Sequence, residues 1–369
     1  MLVRMQSVAP QIARRINDRA ALDLLAAREE MTRSEMRTAL GMSQPSILEL
    51  FDRLLEDGLI EEAGQVEGRR GPRAQAYRIN PRRAHVVVAR VARQEIVASV
   101  SNLLGEFVST SSAPAPTTDS DALHSDVAEC VEAAISRAGV ERGQVRLAVV
   151  ATPGVVDPET GDVGYVAHRP EWRGALRANL EQDLGIPVHL ENQVKLLGLA
   201  ELDARRAESF ALVSIGPAGL AAALVLDGTL WRGAHGAAGE IAYMPGGSEL
   251  PVLGPDNSAT GNLGELISRL AVEQPLRLES MTRPIARAIA AICTVIDPGE
   301  IVLAGPIGRG GGDPLSKAIE DALTAVWPVR VPVTPTRVSG DAVLKGAARA
   351  GLDRLLPELW GPQTGLTKA

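Results

Sequence analysis

Three arginines that suit contact with phosphate lie close together in the first quarter of the chain: Arg69, Arg70 and Arg73. A guanidinium stays charged and offers a planar set of donors that fits a phosphate group. The glycines between residues 64 and 71 predict a tight polar loop there. An arginine-bearing loop of this kind favours contact with the backbone or the minor groove of DNA.

The residues before this loop have the pattern of three short helices. Apolar residues recur at helical spacing over 16–28. The sequence Thr32–Glu35 is a capping box that opens a second helix, which ends near Gly41. Ser43 is placed to cap a third helix that runs to about Asp57.

Two short stretches, 59–62 and 76–79, predict the two strands of a hairpin on either side of the arginine loop. Three helices followed by a hairpin form the plan of a winged helix-turn-helix, in which the third helix enters the major groove. Glu49 would repel phosphates, but it could accept from a cytosine amino group. We therefore predict DNA contacts from these residues: Ser43, Gln44, Ser46, Glu49, Arg53, Arg69, Arg70 and Arg73. The alternative is a small helical domain that binds another protein.

The length and charge of the chain fit a small DNA-binding module on an acidic body. The 369 residues suffice for two or three domains. Residues 1–83 hold 14 arginines and no lysine against 12 acidic residues, whereas the whole chain has a net charge of −7. Because salt screens fields beyond roughly 10 Å, the acidic remainder does not prevent local binding to DNA.

Several classes of protein are excluded by composition. The chain has no long apolar run and no N-terminal secretory signal, so we expect a cytoplasmic protein without a membrane partner. Its two cysteines, Cys130 and Cys293, are far apart, which argues against a disulfide framework or a cysteine-rich zinc site.

From His85 onward the pattern changes to alternating strands and helices. Strands are predicted near 86–89 and 96–100, then a Ser/Thr/Pro-rich loop over 109–121 and a helix over 121–138. Later strands and helices alternate up to a helix at 281–296. This pattern predicts an α/β protein with mixed sheets flanked by helices.

Six short motifs lie in order along the chain: GRRGPRAQAYRINP, ATPGVVDPETG, WRGALRANLEQDLGIPVHLEN, LVLDGTLWRGAHGAAGEIAYM, IDPGEIVLAGP and GDAVLKGAARAG. Each motif is weak alone, and their order makes them specific. Together they resemble the ROK family of repressors, open reading frames and sugar kinases, and specifically its winged-helix regulators, over residues 14–356.

The resemblance implies an α/β fold in two parts. Residues 1–83 would form the winged helix-turn-helix, and residues 84–369 a two-lobed domain like hexokinase and actin, with a ribonuclease H-like core. Family kinases bind a sugar at the hinge side of the cleft between the lobes and ATP opposite. The family also implies a homodimer, with a tetramer as the alternative.

The chain departs from the family at the groups that transfer phosphate. Family kinases carry Asp-x-Gly-Gly-Thr on the first strand, where this chain has Arg90 near the aspartate position. The second phosphate loop reads IGPAGLA, which has no hydroxyl. The family's catalytic aspartate is replaced by Gln193, and an amide cannot act as a general base. We therefore expect no catalytic residue, no bound cofactor and no kinase activity.

The zinc motif of the family is also altered. Tyr243 stands in place of the histidine, Asn262 in place of a cysteine, and Gly264 in place of a sugar-binding glutamate. Zinc needs nitrogen or sulfur ligands, so we expect no metal.

The positions that would contact a ligand in the cleft are partly retained: Asn192, Gln193, Glu240 and Tyr243. Two interpretations stay open. The pocket is either remodelled for a different, sugar-like effector or kept only for packing and dimerisation.

Three functions are compatible with the sequence. The first is a homodimeric DNA-binding transcriptional regulator, most simply a repressor, which controls sugar or secondary metabolism from a DNA operator. The second is a pseudo-kinase scaffold whose N-terminal domain contacts proteins. The third is an active sugar kinase with an extra domain, which Gln193 and the altered phosphate loops disfavour.

Overall fold

The computed structural model describes residues 10–66, 74–92, 95–115, 123–165, 175–205, 208–217, 219–247, 250–253, 259–273 and 278–360. The α-helices are α1 Pro10–Arg28, α2 Arg33–Leu40, α3 Gln44–Glu56, α4 Leu123–Ala138, α5 Leu176–Leu184, α6 Gln193–Ala204, α7 Leu263–Glu273, α8 Leu278–Ile296, α9 Gly305–Thr324 and α10 Ala342–Trp360. The strands are β1 Met31–Thr32, β2 Ile60–Val66, β3 Ala74–Ile79, β4 His85–Val91, β5 Glu95–Ser101, β6 Phe107–Pro114, β7 Val145–Thr152, β8 Val155–Val156, β9 Val163–Tyr165, β10 Val188–Asn192, β11 Phe210–Gly216, β12 Gly219–Leu226, β13 Thr229–Trp231, β14 Val252–Leu253, β15 Ala259–Thr260, β16 Ile301–Ala304 and β17 Val333–Pro335.

The N-terminal unit contains α1 to α3 and a three-stranded antiparallel sheet in the order β1-β3-β2. The capping box predicted at Thr32 and Glu35 is confirmed, and Gly41 ends α2 in the left-handed conformation. Ser43 caps α3 as predicted. Phe51 of α3 packs edge-on against Tyr77 of β3, with their ring centroids 4.8 Å apart. These contacts fix the helices on the sheet.

The rest of the chain contains two five-stranded sheets of similar design. The first has the order β10-β7-β4-β5-β6, and the second has the order β13-β12-β11-β16-β17. In each sheet one half is antiparallel and the other half is parallel. The predicted two-lobed α/β fold is therefore confirmed.

Two helices, α6 and α10, lie between the sheets and form the centre of the core. α6 leaves the first sheet and packs on β12 of the second, while α10 leaves the second sheet and packs on β4 and β7 of the first. Their apolar side chains belong to one continuous cluster with the inner faces of both sheets. A Cβ on Gly346 of α10 would lie 1.9 Å from the backbone oxygen of Leu196 in α6. The two helices therefore touch backbone to backbone.

The N-terminal unit packs on the last turns of α10. Trp360 is buried beneath α1, and the guanidinium of Arg19 lies 5.3 Å from the centre of its ring. Leu22 and Leu25 of α1 share a hydrophobic cluster with Leu355. One core thus joins the helical N-terminal unit to the two lobes.

One sequence prediction was wrong. Residues 109–114 belong to strand β6 rather than to a loop, because Ser109 to Ser112 pair with β5 as an edge strand. Ser and Thr side chains fit this strand because it lies at the edge of the sheet and one of its faces is exposed to solvent. Within the part of the chain that the structure describes, no helix is long and apolar enough to span a membrane.

We predict that Gly346→Ala destabilises the protein by about 1–3 kcal/mol or more, because the added methyl group forces α6 and α10 apart. The measurement is the free energy of unfolding in urea. Gly310→Ala in α9 is the control, since a Cβ there meets open space. Equal stability of the two variants would contradict the assigned close contact.

Candidate DNA-binding surface and interlobe cleft

The N-terminal end of α3 is exposed and held in place by its cap. The Ser43 hydroxyl accepts from the Ser46 backbone N–H at 3.4 Å, and the two hydroxyl groups lie 2.9 Å apart. Ser43 and Ser46, both predicted to contact DNA, therefore already take part in the cap of α3. The turn between α2 and α3 leaves Gln44 and Pro45 exposed to solvent.

Gln44 is positioned by a neighbour that the sequence reasoning missed. Arg37 of α2 donates from Nη1 to Oε1 of Gln44 at 3.2 Å. This contact places a guanidinium beside an amide at the exposed end of α3, so a donor for phosphate and a group for a base edge lie together. Helical spacing of residues 37 and 44 across two helices could not reveal the pair, because it depends on the turn between them.

The exposed face of α3 continues through Leu48 and Glu49. Leu48 is an apolar side chain with 37% exposure, one turn beyond Gln44. Of its two sequence neighbours, Ile47 is buried and Glu49 is exposed. An exposed leucine here can contact a thymine methyl group.

Arg53 lies apart from the other predicted DNA contacts. It sits in the C-terminal half of α3, where its Nη2 donates to Asp18 of α1 at 2.6 Å. The ion pair ties α3 to α1. Arg69, Arg70 and Arg73 lie outside the described residues.

The second candidate site, the interlobe cleft, is formed by residues Glu191 to Lys195 and Gly236 to Tyr243. Asn192 ends β10 and caps α6, and its side-chain oxygen accepts from the backbone N–H groups of Val194 and Lys195. Its amide donates to the backbone oxygen of Gly154 at 2.9 Å. Asn192 therefore fixes the local backbone.

Gln193 points back to the first lobe. Its side-chain amide donates to the backbone oxygen of Val91 in β4 at 2.7 Å. A carboxylate cannot donate such a hydrogen bond. The glutamine thus joins the start of α6 to the end of β4.

Lys195 is a buried cation at this cleft that the sequence reasoning missed. Only 2% of the residue is exposed, and its Nζ donates to the backbone oxygen of Gly236 at 2.5 Å. Burial lowers the pKa of Lys195, and the nearby Glu240 and Glu191 oppose this effect. Burial also raises the pKa of Glu240, which Lys195 counteracts. The sequence signal that could have identified Lys195 as part of the cleft is its position two residues after Gln193.

Glu191 is the most perturbed carboxylate at the cleft. Burial alone would raise its pKa, but the neighbouring His189 ring, whose Nε2 lies 3.8 Å from Oε2 of Glu191, and the paired Arg232 outweigh burial and lower the pKa to about 2. The Nε of Arg232 lies 2.7 Å from Oε2 of Glu191. This ion pair joins β10 of the first lobe to the residues after β13 of the second.

The remaining positions of the cleft are shaped by close packing. Tyr243 lies half-buried in a short 3₁₀ turn that follows Glu240. A Cβ on Gly264 would lie 2.9 Å from Cβ of Ala242. There is consequently little room for a longer side chain at Gly264, while the side chain of Asn262 accepts from the Glu265 N–H and so caps α7.

The residues at the positions expected for metal and phosphate make other contacts in this structure. Among the described residues, no group of three or more His, Cys, Asp or Glu side chains is placed to hold a metal ion. Arg90 of β4 donates from Nε to Asp341 at 2.5 Å and from Nη2 to Glu95 at 2.7 Å. The residue at the expected phosphate-binding turn is therefore a cation held between two carboxylates.

The fold and these sites define a two-lobed α/β protein with an N-terminal helical unit, and known proteins of this design are similar to it. Residues 88–258 match the ROK family model. The chain is 22% identical over 345 residues to the transcriptional dual regulator NagC of Escherichia coli, covering 90% of this chain and 83% of that protein. It is 22% identical over 237 residues to the xylose repressor of Caldicellulosiruptor bescii, covering 63% of this chain. The chain spans only 59% of the length of that repressor.

Solved structures show the same fold. A ROK family transcriptional regulator, a homologue of the E. coli MLC protein, superposes with a TM-score of 0.72 and 20% identity over 95% of this chain and 99% of that one. A ROK hexokinase from Thermus thermophilus gives a TM-score of 0.56 and 24% identity over 72% of this chain and 96% of that one. Both regulators and kinases thus share this fold.

We predict that Arg232→Met lowers the free energy of unfolding at pH 7 by about 1–3 kcal/mol, because Glu191 stays buried without its charged partner. A lowered pKa stabilises the fold above the unfolded pKa of 4.5, and this stability is lost as the pH falls towards about 2. The difference from the wild type should therefore shrink below about pH 4.5.

Urea unfolding at several pH values measures this effect. The control is Arg330→Met, which removes an 82% exposed arginine paired with Glu320 and should change stability by less than about 1 kcal/mol. A pH-independent difference for Arg232→Met would rule out the assigned ion pair.

Proposed function

We propose that the protein is a sequence-specific DNA-binding transcriptional regulator of the ROK type, most simply a repressor, whose lobes do not catalyse. The observation that carries the proposal is the exposed, capped N-terminus of α3 with Gln44 at its tip. In winged helix-turn-helix proteins this end of the third helix reads base edges. The similarity to NagC and to the xylose repressor supports the proposal.

We assign DNA binding to residues 1–83 and dimerisation with ligand sensing to residues 84–369. The last strand of the N-terminal sheet, β3, ends at Ile79, and the next strand, β4, belongs to the sheet of the first lobe. A twofold dimer would read two half-sites separated by about 10 bp or a multiple of it. Linking two weak readers on one body raises their combined affinity.

The cleft is proposed to hold a sugar-like effector rather than to phosphorylate one. Gln193 bonds the backbone of β4 instead of offering a base, and Arg90 is paired with Asp341 where family kinases approach phosphate. Glu240, Tyr243 and Lys195 remain at the cleft as groups that can contact hydroxyls. A ligand that moved α6 would act on α10 and, through Trp360, on the N-terminal unit.

The experiments below also test two alternative functions, a pseudo-kinase scaffold and an active kinase. A pseudo-kinase scaffold would use the exposed face of α3 for protein contact and bind no specific DNA. An active kinase is supported by the shared fold with ROK kinases and by a kinase among the sequence relatives.

We predict that the full chain selects a specific duplex from a random oligonucleotide library. Gln44→Ala should weaken binding to that duplex by about 1–3 kcal/mol and relax the preference at one base pair, because one side chain reads one position. Fluorescence anisotropy at fixed salt measures the affinity.

Gln182→Ala, an exposed glutamine in α5, is the matched control and should bind as the wild type does. Failure to select any sequence would leave the scaffold function as the better proposal. Selection with no effect of Gln44→Ala would contradict the assignment of α3 as the reading helix.

We predict no hexose-dependent release of ADP by the purified protein, and none after Gln193→Asp, because Arg90 still occupies the phosphate side. A coupled assay with ATP and a panel of hexoses measures this, with a ROK hexokinase as the positive control. Turnover by the wild type that Gln193→Ala abolishes would establish an active kinase instead.

A further inference from the structure

The side-chain amide of Gln44 has a defined orientation at the exposed end of α3. Nη1 of Arg37 donates to Oε1 of Gln44 at 3.2 Å across the turn that joins α2 to α3. A guanidinium has donors and no acceptor, so the amide must present its oxygen to Arg37 and its NH₂ group elsewhere. Within the described part of the chain, Nε2 of Gln44 makes no hydrogen bond. The donor side of the amide is therefore open to a partner.

The guanidinium of Arg37 keeps its charge available, unlike those of several neighbours. Three other arginines of the N-terminal unit pair with carboxylates: Arg33 with Asp52, Arg53 with Asp18 and Arg78 with Glu61. Among the described residues, Arg37 forms no ion pair, and its partner is the neutral amide. Several of its N–H groups are therefore left to donate to another molecule.

The Arg37–Gln44 pair projects from two helices that the core holds in place. Met36 of α2 and Ile47 of α3 are both fully buried. Ser43 caps α3, and Pro45 lies in the first turn of that helix. The backbone positions of the pair are thus fixed before DNA binds, which reduces the entropy lost on binding.

The pair offers more donors than acceptors to a base in the major groove. Nε2 of Gln44 and the remaining N–H groups of Arg37 can donate, whereas Oε1 of Gln44 already accepts one hydrogen bond. Guanine presents two neighbouring acceptors in the major groove, O6 and N7, whereas adenine presents the acceptor N7 beside the donor N6. A glutamine alone suits adenine, because it can accept from N6 and donate to N7. A glutamine whose oxygen is bonded to a guanidinium suits guanine.

We propose that Arg37 and Gln44 form one reading unit that selects a guanine in each half-site, an inference that rests on the proposed function. Arg37 is the residue that determines this specificity. It holds the amide of Gln44 with its NH₂ group outward, and it adds its own donors to the two acceptors of the guanine edge.

Selection of duplexes from a random library by the full chain, followed by fluorescence anisotropy at fixed salt, tests the unit. The wild type should select one guanine in each half-site and bind that duplex roughly 10-fold more tightly than the duplex with adenine there. Arg37→Met should lose this preference and favour adenine, because the released amide can bind N6 and N7. Arg28→Met is the matched control. It removes the charge of an exposed arginine of the same unit and should keep the preference for guanine.

The outcomes separate this inference from the proposed function. Selection of specific duplexes without a guanine that depends on Arg37 would overturn the inference and leave the proposed function standing. Equal weakening of all duplexes by Arg37→Met, with a salt slope lower by about 1, would show a phosphate contact and also overturn it. Failure to select any duplex would overturn both. Because Arg37 and Gln44 are not buried, these variants should fold as the wild type does.

Discussion

The backbone contact between α6 and α10 is the constraint on which the rest of the structure depends. Each helix leaves one lobe and packs on the sheet of the other, so the lobes are held by two crossing connections. Gly346 permits this approach because any side chain there would meet the Leu196 carbonyl. The same helices place the cleft, since α6 begins at Gln193 and carries Lys195. A change in their spacing would therefore alter the core and the cleft together.

The length of α10 extends this constraint to the N-terminal unit. Its last turn presents Trp360 to α1, where Arg19 lies over the ring. Arg53 in turn ties α3 to α1 through Asp18. A continuous set of packed side chains thus runs from the cleft to the exposed face of α3. These contacts are a physical path along which a change at the cleft can reach α3.

The cleft contains charged side chains that are paired within the protein. Lys195 is buried against Gly236, and Arg232 is paired with Glu191 across the lobes. Buried charges need partners, and these groups find them within the protein. The effector proposed for this cleft would have to replace these existing hydrogen bonds with its own.

Local sequence determined much of the architecture. The capping box at Thr32, the left-handed Gly41 and the cap at Ser43 depend on residues within one turn, so the short helices were predictable. The alternation of strands and helices predicted the α/β class for a similar reason. Strand β6 was missed because an edge strand owes its structure to pairing with β5, not to its own Ser/Thr-rich residues. The pairing of Arg53 with Asp18 and the burial of Lys195 against Gly236 were decided by tertiary structure alone. Each joins residues distant in the chain, and only the packing of α1 on α3 and of α6 between the sheets brings the partners into reach.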